Sequence, residues 1–335
     1  MEDKKTILIT GIAGFIGFHL AKKLSETYYV IGLDNLNSYY DINLKIDRLK
    51  ELGIHLDNEN SFFKSSIFEI DFYKIDLNNQ KSLLDLLNNN KIDYVVHLAA
   101  QAGVRYSLIN PKTYIENNIN AFYNVLESMN SASIKNLIYA SSSSVYGSNQ
   151  KVPFEESDKT DNQVSLYAAT KKTNEILAQS YSNLYGLNCV GLRFFTVYGP
   201  FGRPDMAYYK FSDMLMKDQE IQLYNYGNQT RDYTHVDDIT NGIKLILEKS
   251  ESKVLKPIYN IGSGKPIELK KLINELEFNF NKKFKIKEVE HQKGDVKNTL
   301  ASINQMKEDF GFSIKSDFIN GIKEFSNWYK KYHAK

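Results

Sequence analysis

The sequence contains one cysteine, Cys189, and six scattered histidines. A single thiol excludes an intramolecular disulfide and a cysteine-based zinc site, and no two histidines stand at ligand spacing, so we expect no metal. No apolar run approaches the ~18 residues that a membrane-spanning helix needs, and the first apolar run is too short for a signal-peptide core. We therefore expect a cytoplasmic protein that binds no membrane.

Neither sign of charge dominates the sequence. The 42 Lys and Arg residues are interspersed with 40 Asp and Glu, which gives a formal net charge of +2. Such a balance provides no basic surface for nucleic acid, so we expect no nucleic-acid partner. The composition, 42% hydrophobic and 24% charged, is that of an ordinary globular protein and excludes a disordered or fibrous chain.

Short apolar runs alternate with amphipathic segments through the first half of the chain. The runs predict strands at residues 6–10, 30–34, 72–76, 94–98, 136–141 and 188–194. The segments between them predict helices at residues 14–25, 79–89, 111–130 and 166–185. Strand–helix alternation of this kind is typical of a parallel sheet with helices on both faces. The fold class is therefore α/β, with a Rossmann-type doubly wound parallel sheet.

The pattern changes after about residue 196. Proline and glycine cluster at residues 199–204, and the later elements are shorter, with helices predicted at 268–278 and 318–332. We predict a larger domain over residues 1–195, completed by a segment that returns near 230–250. A smaller C-terminal α/β domain is predicted over residues 196–335.

Three glycines, Gly11, Gly14 and Gly17, follow the first predicted strand and open a helix. In that context they predict a dinucleotide site: a tight turn, close approach of the backbone to a pyrophosphate, and close helix packing. Asp34 ends the second strand about 20 residues later, where a carboxylate can accept hydrogen bonds from ribose hydroxyls and repel a 2′-phosphate. This favours NAD over NADP. Asp76 ends the third predicted strand, where the adenine would lie.

Tyr167 and Lys171 stand four residues apart, on one face of a predicted helix. An ammonium close to a phenol favours the phenolate, so the pair can accept a proton from a substrate hydroxyl. Spacing by itself also fits a surface pair. Four serines at residues 141–144 end the fifth predicted strand, at the edge of a parallel sheet where ligands bind. This context favours a catalytic pair.

The chain resembles the extended short-chain dehydrogenase/reductases, the NAD-dependent epimerase/dehydratase family, over nearly its whole length. The matching motifs are TGIAGFIG at 10–17, HLAA at 97–100, SSSSVYG at 141–147, YAATK at 167–171, RFFTVYGP at 193–200 and RDYTHVDD at 231–238. Within the family, segments 34–52, 97–107 and 193–207 are most similar to UDP-glucuronate 4-epimerases.

The resemblance implies roles for individual residues. Tyr167 would be the general base and acid, Lys171 its partner, and Ser142 a hydrogen-bond donor to the reacting C4 oxygen. The implied NAD site comprises Gly11, Gly14, Phe15, Ile16, Gly17, Asp34, Asn35, Asp76, Leu77, Leu98, Ala99, Ala100, Asn118, Tyr167 and Lys171. The implied UDP-sugar site comprises Arg105, Ser142, Ser143, Ser144, Tyr167, Thr196, Arg203, Arg231 and Asp295. Arginine suits a carboxylate, so Arg105 or Arg203 is expected to orient the C6 carboxylate.

The implied activity is 4-epimerisation of UDP-glucuronate and UDP-galacturonate through a 4-keto intermediate, in a homodimer that serves polysaccharide biosynthesis. Thr299, at the position near the sugar 2-substituent, leaves UDP-N-acetylglucosamine, its uronic acid and UDP-glucose open as substrates. A UDP-glucuronate decarboxylase is disfavoured because Ser143 and Ser144 stand where such enzymes usually carry an acid. A non-catalytic NAD sensor would not need Tyr167 or Lys171.

Overall fold

The computed structural model describes residues 4–57, 59–250, 255–290 and 298–334. The strands are β1 (Thr6–Thr10), β2 (Tyr29–Asp34), β3 (Phe62–Lys64), β4 (Ile70–Lys74), β5 (Tyr94–His97), β6 (Asn136–Ser142), β7 (Asn188–Phe194), β8 (Thr196–Tyr198), β9 (Glu220–Tyr224), β10 (Thr230–His235), β11 (Ile258–Ile261), β12 (Pro266–Glu268) and β13 (Lys285–Val289). The α-helices are α1 (Phe15–Leu24), α2 (Ile42–Glu51), α3 (Gln80–Asn89), α4 (Tyr106–Ile109), α5 (Pro111–Tyr114), α6 (Ala121–Ser131), α7 (Leu166–Tyr185), α8 (Ala207–Met216), α9 (Val236–Lys249), α10 (Leu269–Phe280), α11 (Asn304–Phe310) and α12 (Phe318–His333).

The largest sheet has eight strands in the order β11-β7-β6-β5-β1-β2-β4-β3. Strand β1 pairs in parallel with β2 and β5, β2 with β4, and β5 with β6, whereas the edge strand β3 is antiparallel to β4. The chain order therefore reverses beside β1, which is the switch point at which ligands bind in such sheets. This arrangement confirms the predicted fold class.

The predicted elements of the first half are present with small shifts of their ends. Strand β4 ends at Lys74, so Asp76 lies in the turn beyond the strand and not at its end as predicted. The single helix predicted over residues 111–130 is divided: a π-helical segment, Ile115–Asn120, joins α5 to α6. Such segments are frequent at functional sites.

The described residues form two compact units. The first is drawn from Met1–Val145, Gln163–Arg193 and Ile243–Tyr259, and the second from Tyr146–Asn162, Phe194–Gly242 and Asn260–Lys335. The sequence placed residues 146–162 in the first domain; in the structure Phe154 stacks on Tyr146 and its N–H donates to Leu300, within the second unit. The segment that returns to the first unit is 243–259.

Each unit has its own apolar core. In the first, Leu8, Val95 and Leu137 from the large sheet pack with Phe122 and Leu126 of α6. In the second, aliphatic and aromatic side chains contribute equally to the core, and the aromatic ones include Tyr198, Tyr208, Tyr209, Tyr233, Phe318, Phe325 and Tyr329. The second unit also holds a three-stranded sheet, β12-β10-β8, and a two-stranded sheet, β13-β9. None of the helices in the described ranges has both the length and the apolar character needed to cross a membrane.

Candidate active site

The turn between β1 and α1 is built on glycines. Gly11 has φ +75°, and a Cβ there would lie 2.8 Å from the backbone nitrogen of Ala99. A Cβ on Gly17 would overlap the carbonyl oxygen of Gly11, and one on Gly14 would lie 2.9 Å from the same atom. None of the three glycine positions thus tolerates a side chain, and the turn presents the start of α1 to the carboxyl edge of the sheet, which fits a pyrophosphate.

Asp34 lies beside this turn at the end of β2. Its Oδ2 accepts the N–H of Ala13 at 3.2 Å, and its Oδ1 accepts the N–H of Leu36 at 2.8 Å. A carboxylate has about four acceptor positions, so both oxygens retain the capacity to accept hydrogen bonds from ribose hydroxyls. The glycine turn and Asp34 together fit the adenosine and pyrophosphate parts of a dinucleotide.

Asn35 and Asp76 meet across neighbouring strand ends, where the Asn35 side-chain amide donates to Asp76 at 3.0 Å. Partial burial opposes ionisation of Asp76, but hydrogen bonds from Asn78 and Asn35 outweigh it and hold the pKa of Asp76 below its usual value. Both residues line a polar cavity of about 320 Å³. The other predicted NAD-site residues in this region also lie after strands β1, β2, β4 or β5: Phe15, Ile16, Leu77, Leu98, Ala99 and Ala100.

His97 ends β5 and is fully buried. Its Nδ1 lies 2.9 Å from Thr10 Oγ1, which also accepts the N–H of Ala99 at 3.2 Å. Burial, with a smaller contribution from the charge of Lys171, lowers the pKa of His97 to about 3. The ring is therefore neutral at neutral pH, and Thr10, which it contacts, holds the backbone of Ala99 just beyond β5.

Folding should depend on pH through His97. Its pKa falls from the unfolded 6.5 to about 3, so between these values the unfolded chain binds the proton and the folded chain does not. Stability from this residue is full above pH 6.5 and declines on acidification, by about 2–3 kcal/mol between pH 7.5 and 4.5. Urea unfolding of wild type and His97→Gln is measured at both pH values. The free energy of unfolding should fall more between pH 7.5 and 4.5 in wild type than in the variant. The exposed His55→Gln is the control, and parallel pH profiles for wild type and His97→Gln would contradict the prediction.

Tyr167 and Lys171 lie in the first turns of α7, as predicted. The helix begins at Leu166 because Ser165 caps it, its side chain accepting the N–H of Ala168. The buried Lys171 Nζ donates to the carbonyl of Ala140 in β6 at 2.8 Å. The Tyr167 ring is half-buried and meets the Tyr114 ring edge-to-face at 6.2 Å. The ammonium is thus held at the strand that ends in the serines.

Ser142 is the last residue of β6 and accepts two hydrogen bonds from Ser144, from its N–H at 3.2 Å and its hydroxyl at 2.9 Å. These bonds use the acceptor side of Ser142, so its hydroxyl proton can be donated to a substrate oxygen. Tyr167 and Lys171 thus lie on α7 and Ser142 on β6, both in the first unit, and Ser143 and Ser144 follow in a short 3-10 turn.

Asn118 lies in the π-helical segment and is buried. Its amide nitrogen donates to Gln101 O at 2.9 Å and to Thr170 Oγ1 at 3.0 Å, and its Oδ1 accepts the Gln101 N–H at 2.7 Å. Asn174 of α7 donates to the Asn118 carbonyl at 2.6 Å. Asn118 thus holds the chain after β5 to α7, and both amide protons are already donated to protein atoms.

A buried ion pair lies next to Ser141, and the sequence analysis did not predict it. Arg193 Nε and Nη2 donate to the two oxygens of Glu175, at 2.8 and 2.9 Å, and the Ser141 hydroxyl donates to Glu175 at 2.7 Å. The side chains of both charged residues are 5% exposed or less. One signal was available: Glu175 stands four residues after Lys171 on the same helical face.

The other predicted site residues are divided between the units. Arg105 is exposed at the start of α4 in the first unit. Thr196 in β8 and Arg231 in β10 belong to the second unit, as does Arg203, whose Nε and Nη2 donate to Asp205 at 2.9 and 2.6 Å. Asp295 lies outside the described residues.

Asp232, next to Arg231, is a further residue that the sequence did not single out. It is fully buried, and its carboxylate accepts hydrogen bonds from Ser263 N and Oγ, Gly264 N, Ala301 N and Thr234 Oγ1. This fixes β10 at the position of Arg231. In the described ranges, His, Cys, Asp and Glu residues form no group of three or more that could hold a metal ion.

Comparison with known proteins agrees with this geometry. Residues 7–262 match the model of the NAD dependent epimerase/dehydratase family, and the chain belongs to that family. The chain is 44% identical to Protein CapI of Staphylococcus aureus, over 98% of this chain and 99% of that protein. It is 40% identical to UDP-glucuronate 4-epimerase 4 of Arabidopsis thaliana, over 98% of this chain and 76% of that protein.

A solved structure shows the same fold. The UDP-glucuronic acid 4-epimerase from Bacillus cereus, crystallised with UDP-glucuronic acid and NAD, matches with a TM-score of 0.85 and 30% identity. The match covers 98% of this chain and 99% of that chain. Family membership, the glycine turn and Asp34 together make this an NAD-dependent nucleotide-sugar enzyme.

Proposed function

We propose that the protein is an NAD-dependent 4-epimerase that interconverts UDP-glucuronate and UDP-galacturonate. The observation that carries the proposal is the placement of Tyr167, Lys171 and Ser142 on α7 and β6, in a chain 40% identical to a UDP-glucuronate 4-epimerase. NAD, held by the glycine turn and Asp34, supplies the reversible hydride acceptance that oxidation at C4 requires.

Proton transfer at C4 is assigned to residues of the first unit. Tyr167 accepts the proton of the C4 hydroxyl and returns it when the 4-keto sugar is reduced on its other face. Lys171, fixed by the Ala140 carbonyl, favours the ionised phenol, and Ser142 donates to the C4 oxygen. Both directions of the reaction use the same groups, so one residue acts as base and then as acid.

Binding of the nucleotide is assigned to the second unit. We propose that Arg231 binds the pyrophosphate, Asp295 the uridine ribose and Thr196 the sugar. Ser143 and Ser144, which belong to the first unit, are also assigned to the sugar. The 4-keto sugar must rotate between the two half-reactions so that its other face meets the cofactor. Contacts to UDP, not to the sugar, therefore supply most of the binding energy. We therefore assign UDP-sugar binding to the second domain and NAD binding to the first.

The C6 carboxylate needs a cation, because a 4-keto uronate is a β-keto acid that can lose CO₂. Arg105 and Arg203 are the proposed partners. The fork of Arg203 is already occupied by Asp205, so a substrate carboxylate would have to displace that partner. Ser143 and Ser144 stand where UDP-glucuronate decarboxylases usually carry an acidic residue, which favours epimerisation over decarboxylation.

The test is ¹H NMR of UDP-glucuronate mixed with the purified protein, without added cofactor. Growth of UDP-galacturonate signals to a constant ratio is the expected result. No change even after addition of NAD⁺ would refute the substrate assignment. A UDP-pentose would instead show a decarboxylase. Parallel samples of UDP-N-acetylglucosamine and UDP-glucose test the second candidate, which the moderate size of Thr299 leaves room for.

We further propose a homodimer formed through α5–α6 and α7. Of the apolar residues on these helices, Phe122, Val125 and Leu126 belong to the core, whereas the Ile176 side chain is 58% exposed. Leu184 is 69% exposed on the same helix. Exposed apolar residues of this kind suit a subunit interface, and light scattering would test the dimer.

We also propose a cytoplasmic location, because the single, half-buried Cys189 suits a reducing compartment.

A further inference from the structure

Helix α2 brings one buried cation to the Asp34 carboxylate and a second to the glycine turn. Lys45 is 5% exposed and Arg48 is fully buried. Lys45 Nζ lies 3.9 Å from Asp34 Oδ1 and donates to Asn37 Oδ1 at 3.0 Å. Arg48 Nη1 donates to the Ala13 carbonyl, in the glycine turn, at 2.8 Å. Neither cation was singled out from the sequence.

The loop before α2 holds these cations in place. The Tyr40 hydroxyl lies 2.6 Å from Arg48 Nη1, and the Tyr40 ring faces Lys45 Nζ at 5.2 Å and the Arg48 guanidinium at 5.4 Å. Contacts of a cation with an aromatic face are favourable and are strengthened by burial. Both cations are therefore held in fixed positions by the protein. Asp34 is the carboxylate next to Lys45.

We propose that Lys45 is a specificity-determining residue of the cofactor site, which would bind the 2′-phosphate of NADP if Asp34 were neutral. The inference rests on the proposed function, since it concerns the site assigned to NAD. With Asp34 ionised, its charge offsets that of Lys45 and repels a phosphate, and its spare lone pairs accept ribose hydroxyls. Without that charge, Lys45 keeps its hydrogen bond to Asn37 and its contact with Tyr40 but has no anionic partner, and a phosphate is a ligand that supplies one.

Preference for NAD therefore depends on the balance between two neighbouring side chains. Removing the carboxylate should admit NADP, and removing the lysine should exclude it more strongly. Lys50 provides the matched control: it lies on the same helix, but its side chain is 55% exposed and pairs with Asp47. Comparison of the Lys45 and Lys50 variants thus distinguishes the loss of a local contact from the loss of one positive charge.

The experiment measures binding of NADH and NADPH by nicotinamide fluorescence and, independently, the nucleotides retained by the purified proteins by mass spectrometry. Asp34→Asn should shift the ratio of NADPH to NADH affinity upward by about 10- to 100-fold. Asp34→Asn with Lys45→Met should lose that gain, and Asp34→Asn with Lys50→Met should keep it. Lys45→Met by itself should retain NAD(H) and discriminate against NADPH more strongly than wild type.

Equal NADPH binding by Asp34→Asn with and without Lys45→Met would overturn the proposal. Asp34→Ser provides the same comparison if Asp34→Asn fails to fold, and Lys45→Met tests the lysine with Asp34 intact. Unchanged discrimination in Lys45→Met would also count against the role. Failure of wild type to bind either cofactor would refute the proposed function itself, which is a different result.

Discussion

Tyr167→Phe is expected to lower kcat for epimerisation by about 10²–10⁴-fold, because general acid–base catalysis by a positioned side chain contributes that much. The substitution removes only the hydroxyl. The ring can keep its edge-to-face contact with Tyr114, so α7 should retain its position. Substrate KM and the retained NAD should change little, because the phenol contributes mainly to proton transfer.

The measurement is the initial rate of UDP-galacturonate formation, with bound NAD determined after denaturation of the protein. Tyr185→Phe is the matched control, since Tyr185 is the last residue of the same helix and is 45% exposed. It should have wild-type activity. Lys171→Met should also lower kcat, and it removes the hydrogen bond to Ala140. A Tyr167→Phe enzyme with more than a tenth of wild-type kcat would place proton transfer on another group.

Much of the first unit could be predicted from the sequence. Strands β1 and β7 and helix α7 begin and end where the pattern of apolar residues placed them. The reason is physical: a sheet covered on both faces requires nearly continuous apolar strands, and its ligand edge is fixed once the strands are known to be parallel. The glycine turn and the Tyr167–Lys171 pair therefore fall where the sequence indicated.

What the sequence did not reveal is mainly buried charge. Apolar periodicity locates a helix face, but it does not predict that Lys45 and Arg48 of α2 are buried, or that Glu175 of α7 faces Arg193 of β7. Such pairs join residues that are distant in sequence, so their partners are known only from the fold. The same limit explains why the sequence assigned residues 146–162 to the first domain. The contact that joins this segment to the second unit, between Phe154 and Ala301, links residues that are far apart in the sequence.

Arg193→Met is expected to lower the free energy of unfolding by about 3–5 kcal/mol, because it leaves the Glu175 carboxylate buried without its bidentate partner. Glu175→Gln should have an effect of similar size. The double variant should lose less than the sum, since replacing both charges leaves no unpaired ion. Chemical denaturation of the four proteins gives the coupling energy directly.

Lys172→Met is the matched control for this cycle. Lys172 Nζ lies 3.5 Å from Glu175 Oε2, but its side chain is 26% exposed, so its loss should change stability by less than about 1 kcal/mol. A coupling energy near zero between Glu175 and Arg193 would contradict the prediction.

The activity of the double variant then distinguishes a purely stabilising role of the ion pair from a role in positioning the serines. Glu175 also accepts the hydroxyl of Ser141, beside Ser142. If the double variant is stable but has a reduced kcat at unchanged KM, the pair positions the serine turn for proton transfer, and stability is only part of its contribution.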